Sequence, residues 1–155
     1  VSGTPKVPGV RKLTVAEREE FLALPHVAVV VVESGEERPP LAVPTWYAYE
    51  PGGTVGLITR SGKKKSRLIR AAGQLTLSVQ VAEQPYRYVT VEGTVVRQGA
   101  ATPGELARVL GRYVPAEALD EWVAWEAGGG NPAGSPEFVE VRPDRWLTRA
   151  FLPAG

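Results

Sequence analysis

Two segments of this chain, QLTLSVQVA (74–82) and YRYVTVEGTVV (86–96), alternate apolar and polar residues with a period of two, and three residues separate them. That period belongs to a half-buried strand, and so short a link cannot carry the crossover that parallel strands need. The chain is therefore expected to build an antiparallel sheet, with Leu75, Leu77, Val79 and Val81 on one face. Gly93 interrupts the second segment, where a bulge or a close backbone approach is expected. HVAVVVV (26–32) is continuous and β-branched, the pattern of a strand buried on both sides. LAVPTWYAYE (41–50) reads as one strand, and Pro44 restricts it to an edge or a bulge. PGG (51–53) turns it into a returning strand, TVGLITR (54–60). EFVEV (137–141) and then RWLTRAFL bring the count to six or seven strands. Such strands with mostly hairpin-length links predict a mainly β fold with short helices, an antiparallel barrel or sandwich.

Four helices fit between these strands. Thr14 to Leu24 opens on a capping box, Thr14-x-x-Glu17, and ends at Pro25. A second helix spans about 62–72, with Gly73 as its C-cap. A third, 102–114, opens on Thr102-x-x-Glu105, and a fourth covers 115–127. Residues 1–12 read as a flexible tail rich in Pro and Gly, and 13–155 as a single domain. Without cysteine, disulfides and zinc–thiolate sites are excluded. No apolar run approaches the roughly 20 residues of a membrane span, so no membrane contact and a cytoplasmic location are expected.

Chemistry can be narrowed by exclusion. The lone histidine, His26, cannot build a histidine-rich metal site and reads as structural. GGGNPAGS lacks the lysine of a phosphate loop and follows a helix rather than a strand. Ser61-x-x-Lys64 lacks the companion motifs of the penicillin-interacting enzymes. Trp122 and Trp125, three residues apart, read as core or interface anchors. No paired carboxylates stand out and no catalytic side chain is singled out, which points to a cofactor as the carrier of any chemistry.

One segment breaks a local rule. Between Arg60 and Arg70 lie six cations and no acid, although the whole chain has a net charge of only +1. Lys63, Lys64 and Lys65 crowd the start of the second helix, where the macrodipole disfavours cations by roughly 0.3–1 kcal/mol each. Such breaks tend to mark functional sites. The strand entering this helix through Thr59-Arg60-Ser61-Gly62 offers hydroxyls and free amides beside the ammonium groups, a cradle for phosphate. Lys63, Arg67 and Arg70 share one helical face, along which a longer anion could lie.

The run GLITRSGKKKSRLIRAAGQLTLSV, followed by YRYVTVEGTV, resembles the pyridoxamine 5′-phosphate oxidase-like, FMN-binding split-barrel superfamily. In that family a strand ending in Thr leads to a short helix whose Arg and Lys residues bind the flavin phosphate. Thr59 matches the strand-end Thr, Lys64 and Lys65 the basic pair, and Val89-x-Val91-Glu92-Gly93 the later strand. VPTWYAYEPGGTVGL resembles the strand–hairpin–strand in which Pro44 and Trp46 line the isoalloxazine region, and VRPDRW (141–146) the closing strand. The resemblance covers roughly residues 14 to 150. It implies a Greek-key split β-barrel and a homodimer whose two protomers both wall the cofactor. The Arg- and His-bearing C-terminal segment that holds pyridoxal phosphate in the oxidase proper is not matched. The chain looks instead like the short subgroup that binds FMN or the deazaflavin F420, whose T-x₅-K-x-x-N-L pattern is met at Thr59 and Lys65, while Leu68 stands at the Asn position.

The implied activity is an F420- or FMN-dependent oxidoreductase that transfers hydride to or from a small conjugated substrate. F420, with its phosphate and oligoglutamate tail, suits the cation run slightly better than FMN. Lys63, Lys64, Lys65 and the Thr59 hydroxyl are expected to anchor the phosphate, and Arg67 to bind the cofactor further along the helix. Pro44, Thr45, Trp46 and the backbone of Leu57 and Ile58 are expected to hold the ring, with Tyr86 and Tyr88 toward the substrate. Trp122, Trp125 and Trp146 are candidate dimer anchors. Two alternatives are a carrier or sensor of flavin, F420 or haem without turnover, and a nucleic-acid binder using KKKSRLIR and PYRYV. The acidic remainder of the chain argues against nucleic acid.

Overall fold

The computed structural model describes residues 9–152. Eight antiparallel strands form one sheet, accompanied by four short helices. The strands are β1 (Gly9–Arg11), β2 (Ala28–Val32), β3 (Leu41–Thr45), β4 (Tyr47–Tyr49), β5 (Val55–Arg60), β6 (Gln74–Val81), β7 (Arg87–Ala100) and β8 (Pro136–Leu152). The helices are α1 (Val15–Ala23), α2 (Lys64–Ala72), α3 (Pro103–Leu110) and α4 (Ala116–Ala127). The sheet runs β3-β2-β6-β7-β8-β5-β4, with β1 added to the far end of β8. Residues 9–11 thus correct the expected tail: they pair with Ala150, Phe151 and Leu152 and satisfy a sheet edge. The rest of that tail lies outside the described residues.

β3 and β4 sit at opposite edges of this path, yet only Trp46 separates them in sequence. The sheet must therefore curl until its two edges meet at Trp46, a barrel split at that residue rather than closed. The segment 41–50, expected as one strand, is two. Pro44, on edge strand β3, has no ladder donor to lose on its open side. At the β4–β5 hairpin Pro51 precedes Gly52 at φ 77°, and Gly53 N–H donates to Glu50 O, the pattern of a type II turn.

β7 and β8, 14 and 17 residues long, form the spine. Register shifts follow Glu92 and Val95, so the expected irregularity at Gly93 is present. A Cβ at Gly93 would lie 2.4 Å from Val141 Cγ1 and 2.7 Å from Arg142 O, which reserves the position for glycine. The two final strands expected separately are one, because Pro143 falls opposite Gly93 inside this bulge.

The main core fills the curl: Val30, Leu57, Leu77, Val79, Val89 and Val139 from the sheet, Phe21 and Leu22 from α1, and Ile69 from α2. The helices α3 and α4 cover the opposite face of β4 and β5, where Ala48, Phe138 and Val109 pack, followed by Leu106, Leu110 and Val114. β2 departs from expectation. Ala28, Val30 and Val32 are buried, but Val29 is 37% exposed and Val27, just before the strand, 56%. Among the described residues no element covers that outer face. Among the described residues no helix is long and apolar enough to cross a membrane.

Candidate functional site

The end of β5 and the start of α2 build a cationic corner. Alternation along β5 sends Leu57 and Thr59 to one side, both 2% exposed, while Ile58 packs toward α3. Gly62, at φ 73°, makes the left-handed turn into α2. Lys63 is the N-cap and its side chain caps nothing, so the amides of Lys64, Lys65 and Ser66 have neither a helical nor a side-chain acceptor. The helix stops as expected, with Gly73 left-handed at φ 68°.

A cavity of about 270 Å³ opens at this corner, beside the split in the barrel. Pro44, Thr45, Trp46, Ile58, Thr59 and Lys65 line it, so six of the expected residues converge. Thr59 contributes to this lining, and its hydroxyl is buried without a hydrogen-bond partner. Burial, with the nearby Arg60 charge adding to it, lowers the Lys65 pKa, and among the described residues Lys65 makes no ion pair. Arg60 also lines the cavity, but Glu126 holds its guanidinium in two bonds of 2.9 and 2.8 Å. Trp46 is fixed by neighbours. Its ring stacks on Tyr113 at 4.7 Å with 4° between planes, and Trp122 tilts against it at 6.1 Å. The Tyr113 hydroxyl in turn donates to His26 O at 2.7 Å and accepts from Tyr47 N–H at 3.2 Å.

The other expected residues lie elsewhere. Leu57 is in the core and meets the corner only through its backbone. Lys63, Lys64 and Arg67 are exposed and do not line the cavity. Arg70 is already paired with Glu137 at 3.3 Å, so the expected cationic track for a long anion ends before it. Tyr86 and Tyr88 line a separate cavity of about 350 Å³ with Arg87 and Phe151, apart from this site within the protomer. A larger cavity, about 640 Å³ beside Glu33, Glu92 and Asp144, contains none of the residues expected to hold the cofactor or face the substrate.

Sequence reasoning missed the far wall. Trp122 and Glu126, four residues apart on α4, face the cavity together with Val109, Leu110 and Asn131. The i, i+4 spacing of an aromatic and an acid was the available signal.

No protein-family profile matches the chain, and no curated protein does. Solved structures do. One named F420 reductase is 21% identical, with 83% of this chain and 94% of that one covered and a TM-score of 0.62. An FAD-binding protein from Mesorhizobium loti is 19% identical, covering 92% and 97%, at 0.63. A candidate pyridoxamine 5′-phosphate oxidase from Listeria innocua is 11% identical, covering 86% and 96%, at 0.59. The chain has the pyridoxamine 5′-phosphate oxidase-like split-barrel fold. In this split barrel the cavity at Thr59 and Lys65 sits where the two edges of the sheet meet.

Proposed function

We propose that the protein is an oxidoreductase that binds F420, or alternatively FMN, and transfers hydride to or from a small conjugated organic substrate. The observation that carries this reading is Thr59, a 2% exposed residue with an unpartnered hydroxyl, in the lining of a cavity shared with Lys65. A neutral donor, an unpaired ammonium and the uncapped amides of α2 make a donor set for phosphate. The residues present therefore fit the group that both cofactors carry. When bound, the cofactor supplies hydride chemistry that the cavity's side chains lack.

The chain's own residues bind and orient. Lys65 and Thr59 hold the phosphate end. Trp46, kept in plane by Tyr113, offers a flat face to the ring, and Pro44, Thr45 and Ile58 border it. Val109, Leu110 and Trp122 exclude water from one side. The names of the F420 reductase and the FAD-binding protein support the class of cofactor.

A volume of about 270 Å³ is small for a cofactor site, and Trp46 remains 36% exposed. A second copy supplies the missing wall in this reading. Pro44, Val29, Ser78, Thr90 and Leu147 lie in register across five strands of the uncovered face without a charge, suited to burial in a homodimer. Trp125, 43% exposed, is free for such contact, whereas Trp122 serves the cavity and Trp146 lies under Arg18 at 4.1 Å. Light scattering should give twice the 16.6 kDa chain mass, and a monomer that binds cofactor would end the dimer proposal.

Lys65→Ala tests the site. Loss of one charge-assisted contact costs about 1.5–3 kcal/mol, roughly 10- to 150-fold in affinity. FMN and F420 are titrated into wild type and variant at fixed salt. Unchanged affinity for whichever binds would remove Lys65 from the site.

A further inference from the structure

The arginines on either side of the cationic corner already have carboxylates. Glu126 holds Arg60 bidentate, and Glu137 meets Arg70 at 3.3 Å. Both acids are buried, Glu126 at 2% exposure and Glu137 at 4%. Lys65 is the cation of the cavity wall that keeps its charge unopposed, while Lys63, Lys64 and Arg67 stand in solvent, where water and salt screen them. The wall thus carries Arg60, Lys65 and Glu126, one net positive charge. A carboxylate buried beside an anion site opposes the anion, so Glu126 reduces what the site would otherwise attract. Its chain position reinforces this, since Trp122 one turn earlier seats the same helical face against Trp46 and keeps Glu126 on the wall.

We propose that Glu126 is a specificity determinant: with Arg60 occupied, the cavity accepts a singly charged phosphodiester and discriminates against a doubly charged phosphomonoester. This rests on the phosphate-site reading above. Of the two cofactors, F420 carries its phosphate as a diester and FMN as a monoester, so the Arg60–Glu126 pair favours F420.

The test uses probes without a flavin ring. Phenyl phosphate, doubly charged at pH 8, and methyl phenyl phosphate, singly charged, are titrated into the full-length protein at fixed ionic strength. Quenching of Trp46 and Trp122, both on the cavity wall, reads binding. Wild type should bind the diester at least as tightly as the monoester. Glu126→Gln frees Arg60 and should shift the ratio about tenfold toward the monoester, about 1.4 kcal/mol. Arg60→Gln combined with Glu126→Gln removes both charges and should return the ratio to the wild-type value. An unchanged ratio in folded Glu126→Gln overturns the proposal. So does a wild-type preference for the monoester of tenfold or more, which needs no variant to fold, or failure of both esters to perturb the tryptophans. FMN and F420 are titrated in parallel. A shifted ester ratio without cofactor binding would keep Glu126 in this role and discard the cofactor, and cofactor binding with an unshifted ratio would do the reverse.

Discussion

α1 and α2 are both nine residues long and both lean on the main core, yet they begin in opposite ways. α1 is completed by its own neighbourhood. Thr14 accepts from Glu17 N–H, the Glu17 carboxylate accepts from Thr14 N–H, and Arg11 holds the same carboxylate at 2.7 Å. Those bonds, the one from Arg11 first, bring the Glu17 pKa down to about 2. α2 has no side-chain cap and no acid in its first turn. Its negative charge comes from β8 instead: Glu137 accepts from the Ser66 hydroxyl in the first turn, from Gln98 at 2.7 Å and from Arg70. A helix that satisfies its own start is scaffold, whereas one that leaves amides, a lysine and a buried hydroxyl open is what the proposed anion site requires.

The comparison breaks most readily at Glu137. Glu137→Gln replaces charge-assisted bonds by an amide facing the Gln98 amide, and should cost about 1.5–3 kcal/mol in urea unfolding. The pH dependence has a defined sign. Burial alone would raise the Glu137 pKa, but the bonds from Ser66 and Gln98 and the Arg70 charge outweigh it and hold it below the ordinary 4.5. A lowered folded pKa gives stability that is complete above about pH 4.5 and is lost as pH falls through the folded value. The variant should therefore lose its deficit relative to wild type in acid. A constant deficit from pH 7 to pH 2 would remove Glu137 as the counter-charge of α2. Thr14→Ala, the matching change in α1, should cost about 1 kcal/mol and leave ligand affinity untouched. An affinity change there would mean that α1 is not mere scaffold.

The same contrast explains what could be read from sequence. Period-two alternation located β6 and β7, and capping boxes located the starts of α1 and α3, because those signals are local. Pro44 at an edge and Gly93 at a bulge followed from backbone chemistry alone. Thr59 and Lys65 were singled out because cations at a helix start contradict the dipole and because both match a family motif. The break at Trp46 was invisible, since every residue of LAVPTWYAYE except Pro44 tolerates a strand and only closure of the sheet demands two. The pairing of Glu126 with Arg60 and of Glu137 with Arg70 was missed for a related reason. Each acid is 66 or 67 residues from the arginine it meets, and no local pattern reports a partner brought by topology.

The smallest effect is expected at Lys64. It is the first residue of α2, exposed and without an ion-pair partner among the described residues. Lys64→Glu places an acid where α1 and α3 carry one in their first turns, and should stabilise the ligand-free protein by about 0.3–1 kcal/mol. The same change reverses a charge beside the proposed phosphate cradle. Exposed pairs are worth about 0.2–1 kcal/mol, so cofactor affinity should fall only a few-fold. Raising salt to about 0.5 M should shrink both effects, because the Debye length drops to a few ångströms. Opposite signs for stability and affinity are what identify α2 as a helix whose start favours its ligand over its own fold. If Lys64→Glu lowered stability, or left affinity unchanged at low salt, the first turn of α2 would be an ordinary solvated surface.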